Sequence, residues 1–394
     1  MKIENIQIKN FKSLRDIEIT LKGLTLITGI NSSGKSTFIQ SLLLLKENRE
    51  LINQIVTNSM MMSSMKEHSE PLRTHIIKLV EDTKNQPLSL EGEYIHLGDK
   101  KDIFNQEVYE EDISILISTL PLKEISFTIN YNNLSLSTTS PIPISNVINL
   151  FSDDFQYLNT DRIQPSRTYE LSERHVRKNL LGTKGEYTAH YLDENRHKPL
   201  NIKALKHNDA KTDRLLDNVS FWLSEISNGI EVLPKKHLDT HQASLSYQYT
   251  YGENTTNEYS PLNVGFGITY VLPIIVAILK SKPGDLLIIE NPESHLHPAG
   301  QAKIAKLCAI AVSNGVQIIV ESHSDHFLNA IRVATKQNIL KPEDSVIYYF
   351  SKRSDLMETK VEQLLIDENG KINKSWPKGF FDEYDKQLDQ LITW

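Results

Sequence analysis

The stretch that most constrains what this chain can fold into is Gly29-Ile30-Asn31-Ser32-Ser33-Gly34-Lys35-Ser36-Thr37, which satisfies G-x-x-x-x-G-K-[ST] without a departure. Gly29 and Gly34 allow backbone angles that a Cβ resists. The N–H groups of Asn31, Ser32, Ser33 and Gly34, and of Lys35 to Thr37, can then converge on the β-phosphate of a nucleotide. Lys35 reaches the β- and γ-oxygens, and Ser36 offers its hydroxyl to Mg²⁺. The flanks agree with this reading. Leu24, Leu26 and Ile27 predict a short buried strand. Phe38, Ile39, Leu42, Leu43 and Leu45 recur at helical spacing, so the positive end of a helix dipole faces the anion. A strand feeding a glycine-rich loop and then a helix reads as an α/β unit built to capture phosphate.

Composition adds exclusions rather than a function. With 394 residues the chain can bury one large core or two moderate ones. A formal net charge of -7 argues against a protein that coats nucleic acid by global attraction, although it leaves room for a local basic face. Asp161 to Arg214 carries 12 Lys/Arg against 8 Asp/Glu, and its thin aromatic content (Tyr169, Tyr187, Tyr191) favours a solvated face over a nucleic-acid surface. Cys308 is the only cysteine, which excludes an intrachain disulfide. Met1-Lys2-Ile3-Glu4 lacks the apolar core of a signal peptide, so the expected location is cytoplasmic. The longest apolar runs, such as Val271 to Leu279, are too short to cross a bilayer, and no membrane association is expected.

Along the chain, Ile3, Ile6 and Ile8 and then Ile17, Ile19 and Leu21 predict two half-buried antiparallel strands turning at Asn10-Phe11-Lys12-Ser13. From Lys46 to about Asn85 the period is helical, with Pro71 as an interruption and Met60, Met61, Met62 and Met65 as core filler. The period then shortens to two. Leu88 to Leu97, Ile113 to Ile117, and Ile125 to Leu136 with a turn at Asn132-Asn133 read as strands. Leu215 to Ile226 reads as a helix and Ser244 to Tyr251 as a strand.

The second half supplies what the loop lacks. Asn263-Val264-Gly265-Phe266-Gly267 leads into an apolar helix, which makes a second anion-binding device. Leu286 to Ile289 forms a buried strand ending in Glu290-Asn291-Pro292-Glu293, the place where a phosphate-loop enzyme holds Mg²⁺ and its water. Ser294-His295-Leu296-His297-Pro298 opens a helix closed by Gly315, and Val316 to Val320 forms another buried strand, ending in Glu321-Ser322-His323-Ser324. Glu290 lies 255 positions beyond Lys35, so a large insertion sits inside the nucleotide fold. His295, His297, His323 and His326 stand on two segments without zinc spacing, and phosphate sensing and packing explain them more simply. Cys308 reads as an inert core thiol.

This order of motifs resembles the ABC-type ATPases of the RecF, SMC, Rad50 and OLD group, over nearly the full length. More narrowly, it is similar to bacterial AAA ATPases that carry a short C-terminal domain of unknown function, here Trp376-Pro377-Lys378-Gly379-Phe380-Phe381-Asp382-Glu383. The resemblance implies an ABC-ATPase-like P-loop fold with an N-terminal antiparallel β subdomain, an insertion at about 46–260 and a short C-terminal α/β appendage. The ATPase head would span 1–340 and the appendage 341–394. It also implies that ATP and Mg²⁺ are bound in a head-to-tail homodimer or higher even oligomer, where Gly265 and Gly267 of one protomer close on ATP held by the loop of the other. The usual Ser-Gly-Gly of that turn is absent here. His297 falls at the family's D-loop, and His323 matches its switch histidine. Ser36 and Glu290 would hold the metal. Relatives place a catalytic acid directly after the metal-holding one, whereas this chain has Asn291, and a neutral amide cannot accept a proton. Either Glu293 takes over as base, or hydrolysis is slow and the closed dimer long-lived. The adopted reading is a slow but real ATPase with Glu293 polarising water. No glutamine between Leu88 and Arg167 stands out for the family's Q-loop.

Only 71 residues follow His323, too few for the Toprim nuclease domain of OLD-type proteins, and Asp367, Glu368, Asp382, Glu383 and Asp385 read as solvated acids. The expected function is therefore an ATPase switch that controls a separate effector such as a nuclease, in defence against bacteriophage. A RecF-like DNA-clamping repair ATPase, with nucleic acid as ligand, and a non-hydrolysing ATP-bound scaffold are the alternatives. Added nucleic acid raises hydrolysis only under the first of these two.

Overall fold

The computed structural model describes residues 1–64, 70–84, 86–108, 111–119, 124–144, 147–153, 155–353, 358–373, 377, 380–381 and 383–392. Met65, Trp376, Lys378, Gly379 and Asp382, singled out above, lie outside them. The chain divides into two compact units, both discontinuous in sequence. One comprises Met1–Leu21, Ile30–Ser152 and Phe350–Glu362; the other comprises Lys22–Gly29, Asp153–Tyr349 and Gln363–Trp394.

The first unit is built on an antiparallel sheet with strand order Leu14–Thr20, Ile3–Phe11, Ile113–Thr119, Ile125–Ile129, Leu136–Thr138. The period-two isoleucines explain it. Ile6 pairs with Ile19 and Ile8 with Ile17 in register, and Ile6, Ile8, Ile19, Ile115, Ile117 and Phe127 are all buried. Helix Lys35–Glu47 is buried from Leu42 to Lys46 without interruption, so it is a core helix rather than a surface one. Helices Arg49–Ser63 and Glu70–Lys84 follow, cross-linked where the Asn58 amide donates to Thr83 Oγ1 at 2.8 Å. Met60, Met61 and Met62 are not the core filler that the sequence predicts. They are 48%, 42% and 40% exposed, because the apolar stripe of their helix runs through Leu51, Ile52 and Val56. Leu88, Ile95 and Leu97 are buried as expected, but only isolated bridges form there, not strands. The cause is Asn48, whose amide donates to Ser89 O and whose Oδ1 accepts from Ser89 N–H, replacing a ladder partner.

The second unit carries a parallel sheet. Gln156–Leu158, Leu286–Glu290, Gln317–Glu321 and Leu24–Gly29 lie side by side in that order, followed by Ser345–Lys352. All five residues of Leu286–Glu290 and of Gln317–Glu321 are buried, as a sheet covered on both faces requires. Helix Phe266–Leu279 is buried from Ile268 onward and packs in one apolar core with Ile289, Val320, Leu307 and Cys308. A hairpin of Ile230–His237 and Gln242–Tyr251 belongs to a smaller antiparallel sheet. No helix is long and apolar enough to cross a membrane among the described residues.

Candidate functional site

The register of the parallel sheet sets Ile27 beside Glu321 and Glu321 beside Glu290, so three strands end at one level. The glycine-rich loop departs from this edge at Gly29, and both acids sit there with little exposure, Glu290 at 8% and Glu321 at 5%. The carboxyl edge of an open parallel sheet is the usual seat of ligands in such folds.

In the first unit, the loop residues show why glycine is needed at position 34. Gly34 has φ +99° and forms the N-cap of helix Lys35–Glu47, and a Cβ on it would collide with Thr359 Oγ1 and come within 3.0 Å of Ser13 Oγ. Ser32 is also left-handed, at φ 59°. The Lys35 side chain is buried and its ammonium donates to Ile30 O at 2.8 Å, so it closes the loop across its mouth. Asn31, Ser32 and Ser36 are exposed, whereas Ser33 Oγ is buried without a hydrogen-bond partner, a polar atom that an anion would satisfy.

In the second unit, the acids are held closely. Both oxygens of Glu290 accept from hydroxyls, Oε1 from Tyr157 at 3.0 Å and Oε2 from Thr160 at 2.8 Å. Burial and the Glu290 charge push the Tyr157 phenol far above its usual range, so it stays a donor. Glu293 Oε1 accepts from the main-chain N–H of His323 at 2.6 Å. Burial raises the Glu293 carboxyl above the ordinary glutamate range, against the pull of that N–H. Between the two acids Asn291 has φ 44°, and two residues past Glu293 His295 has φ 64°. His297 is the N-cap of helix Pro298–Ser313, accepting from Ala299 N–H, and Ser324 caps helix Asp325–Lys336. The imidazole of His323 is exposed just before that cap.

The family described as "AAA domain, putative AbiEii toxin, Type IV TA system" matches residues 24–329. The chain belongs to this AAA family. A second description, "Protein of unknown function (DUF3696)", matches residues 340–391 of the AAA protein. Among solved structures, it is similar to an SMC head bound to the C-winged helix domain of ScpA (TM-score 0.52, 14% identity, 93% of this chain and 99% of that chain). Two more SMC heads are similar at lower scores. One has an extended coiled coil and is bound to the C-terminal domain of ScpA derived from Pyrococcus furiosus (0.46, 13%, all of both chains), and one is from Thermotoga maritima (0.41, 10%, 92% and 98%). The fold of the AAA protein is thus that of the SMC head, an ABC-type ATPase fold, as the first likeness shows. No protein of curated function matches it.

Of the residues that the sequence analysis singled out, Glu290, Glu293 and His323 stand together on one end of one sheet. Gly267 has a packing reason to be glycine, since a Cβ there would strike the carbonyl of His295, whereas a Cβ on Gly265 would meet only Ile268 Cδ1 at 3.9 Å. Tyr157, Thr160, Arg162 and Tyr270 belong to none of the motifs read in the sequence. Arg162 lies in the basic run from Asp161 to Arg214, yet it is 2% exposed. The one trio of His and carboxylate atoms close enough for a single ion, among the described residues, is Glu173, His190 and Glu194, not the four histidines of the motifs. The Lys236 ammonium already bridges its two acids, at 2.6 and 2.7 Å. For the loop, Gly34→Ala joins a left-handed φ to a collision, at about 1–2 kcal/mol for the φ alone. The expected result is at least about tenfold weaker nucleotide binding, measured by titration with a fluorescent ATP analogue. Unchanged affinity would show that the loop does not need its left-handed residue.

Proposed function

We propose that this AAA protein is an ATP-binding switch that hydrolyses ATP slowly and closes as a head-to-tail pair. The observation that carries the reading is the sheet edge where the strand feeding the glycine loop lies in register with Glu321 and Glu290. Lys35 and the N–H groups from Asn31 to Thr37 would hold the phosphates, while Ser36 and Glu290 would hold Mg²⁺, which lends charge stabilisation to the leaving phosphate. Glu293 would take the proton from water, and His323 would sense the γ-phosphate. Gly265 and Gly267 would meet the ATP of the second protomer.

Asn291 favours a slow enzyme over a fast one. It stands where a base would be expected, and its φ of 44° belongs to the region that asparagine tolerates best among residues with a Cβ. The identity of this residue therefore follows the turn. Control of a separate effector of the nuclease class, in defence against phage, is the finer part of the proposal. It is supported by the resemblance of the motifs, and by the SMC head of the same fold that is bound to a domain of a second protein.

Lys35→Ala tests the reading. Removing a charge-assisted contact to phosphate costs about 2 kcal/mol, so ATP binding should weaken about thirtyfold and ATP-dependent pairing should disappear. Nucleotide titration and light scattering measure the two. Parental binding and pairing in the variant would sink the proposal.

A further inference from the structure

Resting on that ATPase reading, we propose that Tyr157, Thr160 and Arg162 are positioning residues for the hydrolysis, fixing Glu290 and the turn that carries Glu293. None of them belongs to a recognisable motif. They sit on and just after Gln156–Leu158, whose parallel register with Leu286–Glu290 pairs Ile288 with Tyr157 and Ile289 with Leu158.

The two hydroxyls act on the acid. Tyr157 and Thr160 each give one hydrogen bond to a different oxygen of Glu290, which fixes the orientation of the carboxylate without cancelling its charge. A cationic donor would discharge it. Arg162 instead gives its N–H groups to main-chain carbonyls, to Asn159 O at 2.9 Å, Glu290 O at 2.5 Å and Asn291 O at 2.6 Å. The result is a scarcely exposed carboxylate among oxygen-bearing neighbours, a donor set that fits a hard divalent cation.

Arg162 acts on the backbone. The left-handed turn at Asn291 is pinned on one side by Arg162 and on the other by its own N–H to Glu321 O at 2.8 Å. That turn returns the chain so that Glu293 meets the N–H of His323. A cation–π contact of 3.9 Å to Tyr270 holds the guanidinium, and the Tyr270 hydroxyl donates to Thr160 O at 2.5 Å, so the three residues form one assembly. Asn159 Oδ1, Arg162 Nε and Asn291 Oδ1 are buried in this stretch without a hydrogen-bond partner, a concentration that points to a polar ligand or its waters.

The test uses the full chain with Thr160→Val and Tyr157→Phe, and Thr160→Ser as the control that keeps the hydroxyl. Thr160 is exposed, so valine there leaves the core intact. Binding of a fluorescent non-hydrolysable ATP analogue is measured in EDTA and through a Mg²⁺ titration, alongside steady-state hydrolysis. In EDTA the affinity should match the parent within about twofold, while the Mg²⁺ concentration for half-maximal effect rises about tenfold in Thr160→Val and Tyr157→Phe and stays parental in Thr160→Ser. The maximal rate should fall about tenfold, with little change in KM. Parental Mg²⁺ midpoints in both variants would overturn the proposal, whatever the rates. A parent protein with no Mg²⁺-dependent nucleotide binding would remove the ATPase reading itself, and the proposal with it.

Discussion

Glu293→Gln is expected to lower the rate of ATP hydrolysis about a thousandfold and, at neutral pH, to melt at a higher temperature than the parent. The two effects have one cause. Burial disfavours the charged carboxylate, so the folded protein binds the Glu293 proton more tightly than the unfolded chain does. As pH rises from the ordinary glutamate range through the raised one, the native state loses stability, and above that window the parent carries the full cost of a buried charge. Glutamine carries none, and its side-chain oxygen can still accept from the His323 N–H. The gain in Tm should therefore be largest near pH 8 and vanish below the ordinary glutamate range. Hydrolysis in the parent should rise as pH rises through the same window, because only the ionised carboxylate can take a proton. Phosphate release and thermal melts over that range measure both. An unchanged rate would show that Glu293 is not the base, and a loss of both rate and Tm would mark structural damage instead.

Arg162→Met should destabilise the fold by about 4 kcal/mol, because it strips the carbonyls of Asn159, Glu290 and Asn291 of a charged donor at once. Burial lowers the Arg162 guanidinium to about 10, which still leaves it charged at neutral pH. Arg162→Lys should recover only part of the loss, since an ammonium lacks the planar fork that spans two chain segments. Denaturant midpoints of the three proteins measure this. A parental midpoint for Arg162→Met would mean that the three carbonyls find other donors, and that the turn at Asn291 is held by something else.

What could be read in the sequence was local. The phosphate loop, the acidic strand and the Glu321-Ser322-His323 end are contiguous patterns whose residues do their work within a few positions of each other, and the structure puts all three strand ends at one edge. Thr160 and Glu290 are 130 residues apart, and only the parallel pairing of two short strands brings them to 2.8 Å. No spacing rule could have found that contact. A threonine two residues past a three-residue strand looks like any loop residue. Asn291 illustrates a different shortfall. By residue type it is a missing base, whereas its backbone shows a left-handed turn that suits asparagine. The exposed methionines and the loop from Leu88 to Leu97 were misjudged because side-chain partners, Val56 and its neighbours in one case and Asn48 in the other, took the burial and the hydrogen bonds that pattern alone assigned elsewhere.

Gly267 has no side chain because none would fit, and the start of helix Phe266–Leu279 rides directly on the carbonyl of His295. The Phe266 and Tyr270 rings close on the His295 imidazole from the same helix, at 4.5 and 5.0 Å. With no clearance in that joint, the glycine turn bears directly on the segment that carries Glu293, two residues before His295. Any larger residue at 267 would pry the joint open, so the same substitution that widened the turn would also disconnect it from the acid.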